Sequence, residues 1–303
     1  MTRRLQYLVL LMITSASRLF SQYYFYNDNY YNSLILVEAG LSIGGMNCLT
    51  DLGGKKGNGT AFIKDLNWNN THPSGGIYIS ILYDQLFAIR AEACFGKVSA
   101  SDNVLQYDHS VARDRYHRNL HFQSNIGELS LSGEFLPLSL FSSERYPLFS
   151  PYLVAGIGFF KFNPQAKLNG RWIDLHPLRT EGQGFKEYPH KDSYKLTQLN
   201  IPVGLGVRYE ISALLNVRLE IVYRFLKTDY LDDVSTQYID PSTFYSNLNI
   251  HDALNAKILS DRGAELRAGM FKKEGEIRGN PQNRDAYFTA NVKLGLILNR
   301  KRR

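Results

Sequence analysis

The sequence predicts an all-β protein: an eight-stranded antiparallel transmembrane β-barrel with long extracellular loops and a short helix in the last loop. Three observations predict it: an alternation of apolar and polar residues between Leu34 and Leu298, connections of unequal length, and a secretory signal at the start of the chain. Side chains on a strand point to opposite faces with a period of two, so each alternating segment separates an apolar from a polar environment. In a soluble sandwich the apolar face would be the core, whereas in an outer-membrane barrel it would meet lipid.

The alternation is clearest in the first predicted strand, Ser33–Met46. Its odd positions are mostly apolar, and its even positions from Glu38 to Gly44 are small or charged. The pattern recurs in seven further segments: Ile77–Tyr83, Phe87–Val98, Asn125–Leu136, Tyr152–Phe162, Leu199–Ile211, Val217–Phe225 and Ala286–Leu298. These lengths are near the ~9–11 residues that a tilted strand needs to cross a bilayer.

The connections are short at one end of the predicted barrel and long at the other. The turns near Asp84 and Ser212 are tight, and Pro137–Pro147 is intermediate. The long connections are Asn47–Gly76, Ser99–Ser124, Asn163–Gln198 and Thr228–Arg284. Short periplasmic turns and long external loops are typical of outer-membrane barrels.

The last long connection has the signals of a helix. Asp240, Pro241 and Ser242 resemble a helix start, because proline is tolerated in the first turn. An apolar stripe could follow through Leu248, Ile250, Leu254, Ile258 and Leu259. We therefore expect a helix that lies outside the barrel or caps its lumen.

The first residues have the order of a secretory signal peptide, with a basic segment, an apolar run and then small residues. Arg3 and Arg4 precede Leu8–Ile13, and Thr14–Ser17 follows. We expect cleavage after Ser21, which divides the chain into a signal peptide over 1–21 and one barrel domain over 22–303. No later run of about 18 apolar residues predicts a transmembrane helix.

Composition agrees with this class of protein. Aromatic residues make up 13% of the chain, and barrels use them in girdles at the two membrane interfaces. The net charge of +7 is mixed in sign and gives no case for nucleic acid, so lipopolysaccharide or another acidic surface is the more natural partner. Cys48 and Cys94 could form a disulfide or remain as two thiols.

The polar face of the predicted barrel carries a set of charged residues of both signs. An eight-stranded barrel of the OmpA/OmpX type has an interior just wide enough to be filled by side chains, and buried charges must be paired. We therefore expect a salt-bridged lumen, with a narrow ion path or a catalytic dyad as the alternatives. The predicted lumen network is Glu38, Arg90, Glu92, Glu128, Glu134, Arg208, Glu210, Arg218, Glu220, Arg224 and Lys293, and Asp84 is expected to face inward with it.

Several loop motifs suggest chemistry without the spacing that it requires. Gly53–Thr60 has the residues of a phosphate loop but not their order. His109, His117 and His121 could hold a metal, although the metalloprotease pattern is missing, and Ser110 beside His109 invites a hydrolase reading without the geometry of a triad. We expect no catalytic, cofactor or metal site.

The charged residues of two loops have simpler interpretations. Arg113, Arg115 and Arg118 would suit phosphates of surface lipopolysaccharide or an acidic partner. Asp229, Asp232 and Asp233 lack the glycine and the distal glutamate of a calcium loop, so we expect them to be solvated.

Five segments of the chain resemble a known family. Three lie in the N-terminal part, at Tyr23–Tyr31, Met46–Gly54 and Asp65–Trp68, and two lie in the last loop, at Tyr230–Ser235 and Arg278–Pro281. The chain resembles a Bacteroidetes family of small outer-membrane barrels of uncharacterised domain, whose best-known relative is the PorG protein of the type IX secretion system.

The resemblance implies an outer-membrane anchor rather than an enzyme. Proteins like PorG are associated with a periplasmic ring of PorK and PorN, so a periplasmic turn such as Pro137–Pro147 is expected to contact such partners. The family has no catalytic signature to transfer to this sequence. A porin, a lipid-modifying outer-membrane enzyme and a surface adhesion or binding protein remain as alternatives.

Overall fold

The computed structural model describes residues 34–53, 67–106, 113–140 and 149–300. The expected signal peptide over 1–21, most of the Gly53–Thr60 motif, and the pair His109 and Ser110 lie outside the described residues.

Eight strands close into one antiparallel barrel, as the sequence predicts. Each strand pairs with its neighbours along the chain, β1 pairs with β10, and β3 pairs with β4, so the ring has no free edge. The barrel strands are β1 (Ile35–Leu49), β2 (His72–Tyr83), β3 (Phe87–Ser101), β4 (His121–Phe135), β5 (Phe149–Lys161), β8 (Thr197–Glu210), β9 (Leu215–Leu226) and β10 (Ala286–Ile297). Several extend beyond the predicted segments, most clearly β2, which begins at His72.

The two remaining strands, β6 (Pro164–Leu168) and β7 (Arg171–Asp174), form a hairpin that continues from β4 beyond the barrel wall. Their turn is Asn169–Gly170, with φ values of 49° and 82°. Asn-Gly is the dipeptide that favours this left-handed geometry in a two-residue hairpin. The sequence predicts only a long connection at Asn163–Gln198, so the hairpin is an addition to the predicted fold.

The barrel has a turn end and a loop end. The turn end carries the tight connection Asp84–Leu86, the 3₁₀ segment Pro137–Leu140 and the turn 211–214, together with the first and last described residues. The loop end carries four long loops, which we number 1 to 4 along the chain: residues 50–71, 102–120, 162–196 and 227–285.

Short helices lie in the loops, and those of loop 4 agree with the predicted helix. They are α1 (Arg113–Arg118), α2 (Ser242–Asn247), α3 (Ile250–Ser260) and α4 (Gly263–Leu266), with 3₁₀ turns at Trp68–Asn70, Asp102–Leu105 and His176–Leu178. Asn249 caps α3 by accepting a hydrogen bond from the Asp252 amide. No helix of the described residues is long and apolar enough to cross a membrane.

Only part of the predicted apolar stripe is buried, because Leu259 lies in the core of the loops whereas Leu254 is exposed on the helix surface. Ala253, Ala256 and Leu259 form the buried face of α3, whereas Ile250 and Leu254 are exposed. The buried face packs on Leu175, Leu178, Phe185 and Phe244, which gives the loops a hydrophobic core of their own.

Successive side chains of each wall strand point alternately outward and into the lumen. Outward positions are apolar and exposed, as at Ile43, which is 70% exposed, whereas inward positions are small, aromatic or charged. Gly40 is an inward position where space is needed: a Cβ there would overlap the Leu294 carbonyl oxygen and the Tyr78 ring. The lumen is therefore filled by large side chains that lie over glycines.

Two expectations about single residues are resolved here. Asp84 does not face the lumen, because β2 ends at Tyr83 and Asp84 lies exposed in the turn with a φ of 48°. Cys48 and Cys94 are both buried free thiols.

Candidate functional site

The barrel interior holds a network of paired charges. All eleven residues of the predicted set are buried and paired, and Arg300 joins them, which makes six glutamates and six bases. We call these twelve residues the lumen network. Its charges balance, which is the condition for keeping so many ionised groups away from water.

Arg90 and Lys293 form the centre of the lumen network. The Arg90 guanidinium lies 2.6 Å from both Glu134 and Glu220 and 3.2 Å from Glu92. The Lys293 ammonium lies 2.6 Å from Glu92 and 2.8 Å from Glu220. Each base thus serves several carboxylates from different strands, so the network ties the wall together across the lumen.

The lumen network continues towards the turn end through Arg218 and Arg208. Arg218 lies 2.8 Å from both Glu134 and Glu38, and Arg208 lies 3.0 Å from Glu210. Arg300 completes it at 3.1 Å from Glu210. Arg300 follows the end of β10, so the strand alternation contained no signal for it.

A second part of the lumen network lies nearer the loop end. Arg224 pairs with Glu128 at 3.0 Å, and the Tyr287 hydroxyl donates to the same carboxylate at 3.1 Å. Arg224 also donates to the Thr289 hydroxyl, and Asn200 donates to Tyr287. These neutral groups satisfy hydrogen-bonding atoms that the single ion pair would leave over.

Apolar layers close the lumen at both ends. Leu36, Leu82, Ala88, Leu136 and Ile297 pack together towards the turn end. Towards the loop end, a larger core combines barrel residues with loop residues, and a row of rings runs through it. Its centroids are 5.3 Å apart between Phe160 and Phe162, 6.0 Å between Phe162 and Tyr194, and 4.8 Å between Tyr194 and Tyr230.

The described parts of the four loops form a packed cap over the barrel, held by buried ion pairs. Arg118 of α1 pairs with Asp102 at 2.8 Å and donates to the backbone carbonyls of Asp51 and Arg278. Asp102 also accepts from the Gly53 amide at 3.2 Å. Loops 1, 2 and 4 thus meet at one arginine, and Arg118 is a structural residue rather than the external phosphate ligand that the sequence suggested.

Arg115 and Arg113 complete the account of that predicted anion site. Arg115 is half-buried and donates to the Gly53 carbonyl at 3.4 Å. The side chain of Arg113 lies outside the described residues.

A second ion pair joins loops 3 and 4. Glu181 is fully buried, pairs with Arg278 at 2.9 Å and accepts from the amides of Ser235 and Thr236, both at 2.9 Å. Asp233 accepts from the Tyr194 hydroxyl at 2.7 Å. The sequence analysis did not single out Glu181 as a site residue, and its only signal is a carboxylate within an otherwise unpatterned loop.

Four further aspartates gather where the cap meets the barrel mouth. They are Asp51 after β1, Asp229 and Asp232 after β9, and Asp285 before β10, and we call them the rim cluster. Asp232 and Asp285 are each 1% exposed. The expectation that the loop aspartates are solvated is therefore wrong for Asp232 and Asp233, because the cap folds over them.

Burial dominates the protonation of the rim cluster. Desolvation raises the pKa of Asp51 to about 6 and the pKa values of Asp229 and Asp232 to about 8. Burial also raises the pKa of Asp285 well above its usual value, and the charges of Asp232, Asp229 and Asp51 add to that effect.

The chain matches the model of a family described as a domain of unknown function, DUF6089, over residues 18–254. This chain belongs to the DUF6089 family. No curated protein matches it.

The solved structures similar to this DUF6089 chain are small barrels at low identity. They include Ail, the attachment invasion locus protein of Yersinia pestis (8% identity, 87% of this chain and 97% of that one, TM-score 0.35). Neisserial surface protein A has 9% identity over 88% and 98% of the chains, with a TM-score of 0.36. OprG from Pseudomonas aeruginosa has 9% identity over 87% and 95%, with a TM-score of 0.37. The assignment of the barrel rests on the strand pairing described above.

Of the three candidate histidines of the DUF6089 chain, His109 lies outside the described residues. His117 lies half-buried in α1, whereas His121 begins β4 and accepts from the Lys167 amide at 2.9 Å. Over the described ranges, no three His, Cys, Asp or Glu side chains are placed to hold a metal ion.

Proposed function

We propose that this chain is a non-enzymatic barrel of the outer membrane that acts as a structural anchor in type IX secretion. One observation carries the first part: a wall that is apolar outside encloses a lumen filled by paired charges. Such a wall suits lipid and the lipid part of lipopolysaccharide, and such a lumen leaves no room for a substrate. The activity must then lie at the two ends of the barrel.

The turn end is the proposed contact with periplasmic partners. It is formed by the tight turns 84–86 and 211–214 and by the described part of the connection between β4 and β5, where Leu140 in the 3₁₀ segment Pro137–Leu140 is 59% exposed. The family resemblance supplies the kind of partner, a ring of proteins like PorK and PorN. An anchor of this kind needs a rigid barrel, which the lumen network provides.

Site-specific crosslinking tests the anchor. A photoreactive residue is placed at Leu140 on the turn end and, as the matched control, at exposed Trp68 on the loop end, in cells that carry the secretion system. Capture of ring components from position 140 but not from position 68 is the expected result. Capture from neither position, or from position 68 alone, would contradict the proposed contact.

Conductance separates the anchor from a porin. The purified barrel in a planar bilayer is expected to give no steady channel current, because apolar layers cover both ends of the charged lumen. A stable, ion-selective conductance would instead favour a channel.

A second function, surface binding by the cap, is supported by a different observation. The cap has its own hydrophobic core, and exposed aliphatic side chains line the outer face of α3 at Ile250, Leu254 and Ile258. Exposed apolar patches of this kind mark interaction surfaces in many proteins. Protease treatment of intact cells that removes the cap and abolishes binding to a surface partner would support this function.

A further inference from the structure

Among the residues that the structure describes, the rim cluster differs from the other buried carboxylate groups above, because no base is paired with it. Within the described ranges, Asp51, Asp229, Asp232 and Asp285 form no ion pair with Lys, Arg or His. The nearby arginines are already engaged: Arg118 pairs with Asp102, and Arg278 pairs with Glu181. The cluster therefore brings up to four negative charges into the junction between the cap and the barrel mouth.

The four carboxylates lie where loops 1 and 4 meet. Asp51 accepts from the Asn280 amide at 2.5 Å, which joins loop 1 to loop 4. Asp232 accepts from the Leu52 amide at 3.2 Å and from the Val234 amide at 2.9 Å. The bonds from Asn280 to Asp51 and from Leu52 to Asp232 join segments more than a hundred residues apart, so they hold loop 1 and loop 4 together at the barrel mouth.

Asp285 provides a second, independent observation. Its Oδ2 accepts from the Leu231 amide at 2.8 Å, whereas its Oδ1 is buried without a hydrogen-bond partner. The groups that act on it most strongly are the carboxylates of Asp232, Asp229 and Asp51. A buried carboxylate oxygen without a partner, with three other carboxylates nearby, is stabilised by a positive charge or a proton.

Over the described ranges, the other charged and titratable groups around the cluster do not supply that charge. Arg118 and Arg115 of loop 2 lower the pKa of Asp51, but Glu181 of loop 3 opposes them. None of the remaining neighbours carries a positive charge. They are Cys48 of β1, Tyr223 of β9, and Tyr230 and Asp233 of loop 4. A bound metal is not favoured, because the described acidic side chains do not converge on one point.

We propose that protons held among Asp51, Asp229, Asp232 and Asp285 latch loops 1 and 4 over the barrel mouth, and that loss of these protons loosens the cap. The ionised cluster would repel itself across the same hydrogen bonds that join the two loops. The barrel wall would remain closed, because its own charges are balanced. This latch does not depend on which end of the barrel binds a partner.

The direction of the pH effect follows from proton linkage. An opened cap returns each aspartate to its ordinary pKa near 3.8, whereas the closed cap holds those of Asp229 and Asp232 at about 8. The closed cap therefore binds more protons between these values, and its stability falls as pH rises from about 4 to about 8. One proton released on opening makes the opening equilibrium about tenfold more favourable for each pH unit.

Hydrogen exchange on the full-length protein in lipid nanodiscs measures this opening. The reporters are the amides of Leu52, Leu231 and Asn280, which donate to the rim cluster. The amide of Ile221 in the wall strand β9 is the internal reference. Protection factors, which are corrected for intrinsic exchange at each pH, should fall about tenfold or more per unit between about pH 6 and about pH 8 at the reporters and stay constant at Ile221.

Neutral variants test whether the cluster causes the effect. Asp229→Asn and Asp285→Asn cannot ionise, and Asp285→Asn can keep the oxygen that accepts from the Leu231 amide, so each should raise protection at about pH 8 and flatten the pH dependence. Asp192→Asn, at an exposed position of loop 3, is the matched control and should behave like the parent chain. If one of the two neutral variants fails to fold, the other still tests the latch.

Three outcomes would overturn the latch. They are protection that does not change with pH in the parent chain, an unchanged pH slope in both neutral variants, and a slope that millimolar calcium abolishes while raising protection at about pH 8. The last result would mean that a divalent cation, not a proton, occupies the cluster.

Discussion

The lumen network and the rim cluster are two buried groups of charges in one small barrel, and they are balanced in opposite ways. In the lumen, six glutamates face six bases, and each carboxylate lies within 3.2 Å of a guanidinium or ammonium nitrogen. At the rim, Asp51, Asp232 and Asp285 accept hydrogen bonds from backbone amides, and Asp229 adds a fourth like charge near them. The charges of the lumen network neutralise one another, whereas those of the rim cluster would need protons to be neutralised.

This difference assigns different tasks to the two regions. A balanced network that joins opposite walls resists change, which suits a structural barrel. An unbalanced cluster at the junction of two loops responds to its surroundings, which suits a cap that opens. The same residue types thus give rigidity in one place and sensitivity in another, and the placement of the bases decides which.

Removing one base from the lumen network should have the largest effect. Arg218→Met leaves Glu38 and Glu134 without their 2.8 Å partner inside a sealed lumen. We expect a loss of about 3–5 kcal/mol in the free energy of unfolding, measured by urea titration in lipid vesicles. Lys161→Met, at an exposed base at the end of β5, is the control, and an equal loss there would show that the network is not special.

Removing the base that holds loop 3 to loop 4 should act on the cap alone. Arg278→Met leaves Glu181 buried without its partner at 2.9 Å. We expect about 3 kcal/mol less resistance to local opening, seen as roughly 100-fold faster protease cleavage within loop 4 while global unfolding is unchanged. Simultaneous weakening of the barrel would show that cap and wall are one cooperative unit.

Adding one methyl group to the filled lumen should have a smaller effect. Gly40→Ala would place a Cβ against the Leu294 carbonyl oxygen and the Tyr78 ring, so we expect a loss of about 1–3 kcal/mol. In Gly133→Ala the nearest atom lies at an ordinary 3.9 Å, which makes it the control. A neutral Gly40→Ala would mean that the lumen is less tightly filled than described.

An exposed ion pair should matter least. Lys272 and Glu276 are 3.3 Å apart on the outer surface of loop 4 and are partly or well exposed. Lys272→Ala should change the stability of the cap by less than about 0.5 kcal/mol, because solvent screens such pairs. A larger loss in the same protease assay would show that surface charges, as well as buried ones, hold the cap.

The wall could be predicted from the sequence because parity alone places its side chains. The alternation assigned Glu38, Arg218 and Lys293 to the lumen, and the structure places them there. The alternation does not place side chains correctly beyond the strand ends. Asp84 lies one residue after β2, and Arg300 joins the lumen network from beyond the end of β10. Parity has no meaning once the backbone leaves the sheet.

The cap could be predicted only in outline. The start of the loop 4 helices followed from Pro241 and Ser242, and the β6–β7 hairpin could have been found from the Asn169–Gly170 dipeptide. The burial of Asp232 and Asp233 could not, because it depends on loops 1, 3 and 4 folding together. Contacts between residues far apart in sequence leave no local pattern in any one of them.

The apolar layers that close the lumen also separate its charges from dissolved salt. Counter-ions screen charges over about 8 Å at physiological ionic strength, but only where water can reach those charges. The wall should therefore be equally stable in dilute and in concentrated salt. Asp51 is partly open to solvent, so salt should weaken the repulsion at the rim and allow the cap to stay closed at higher pH.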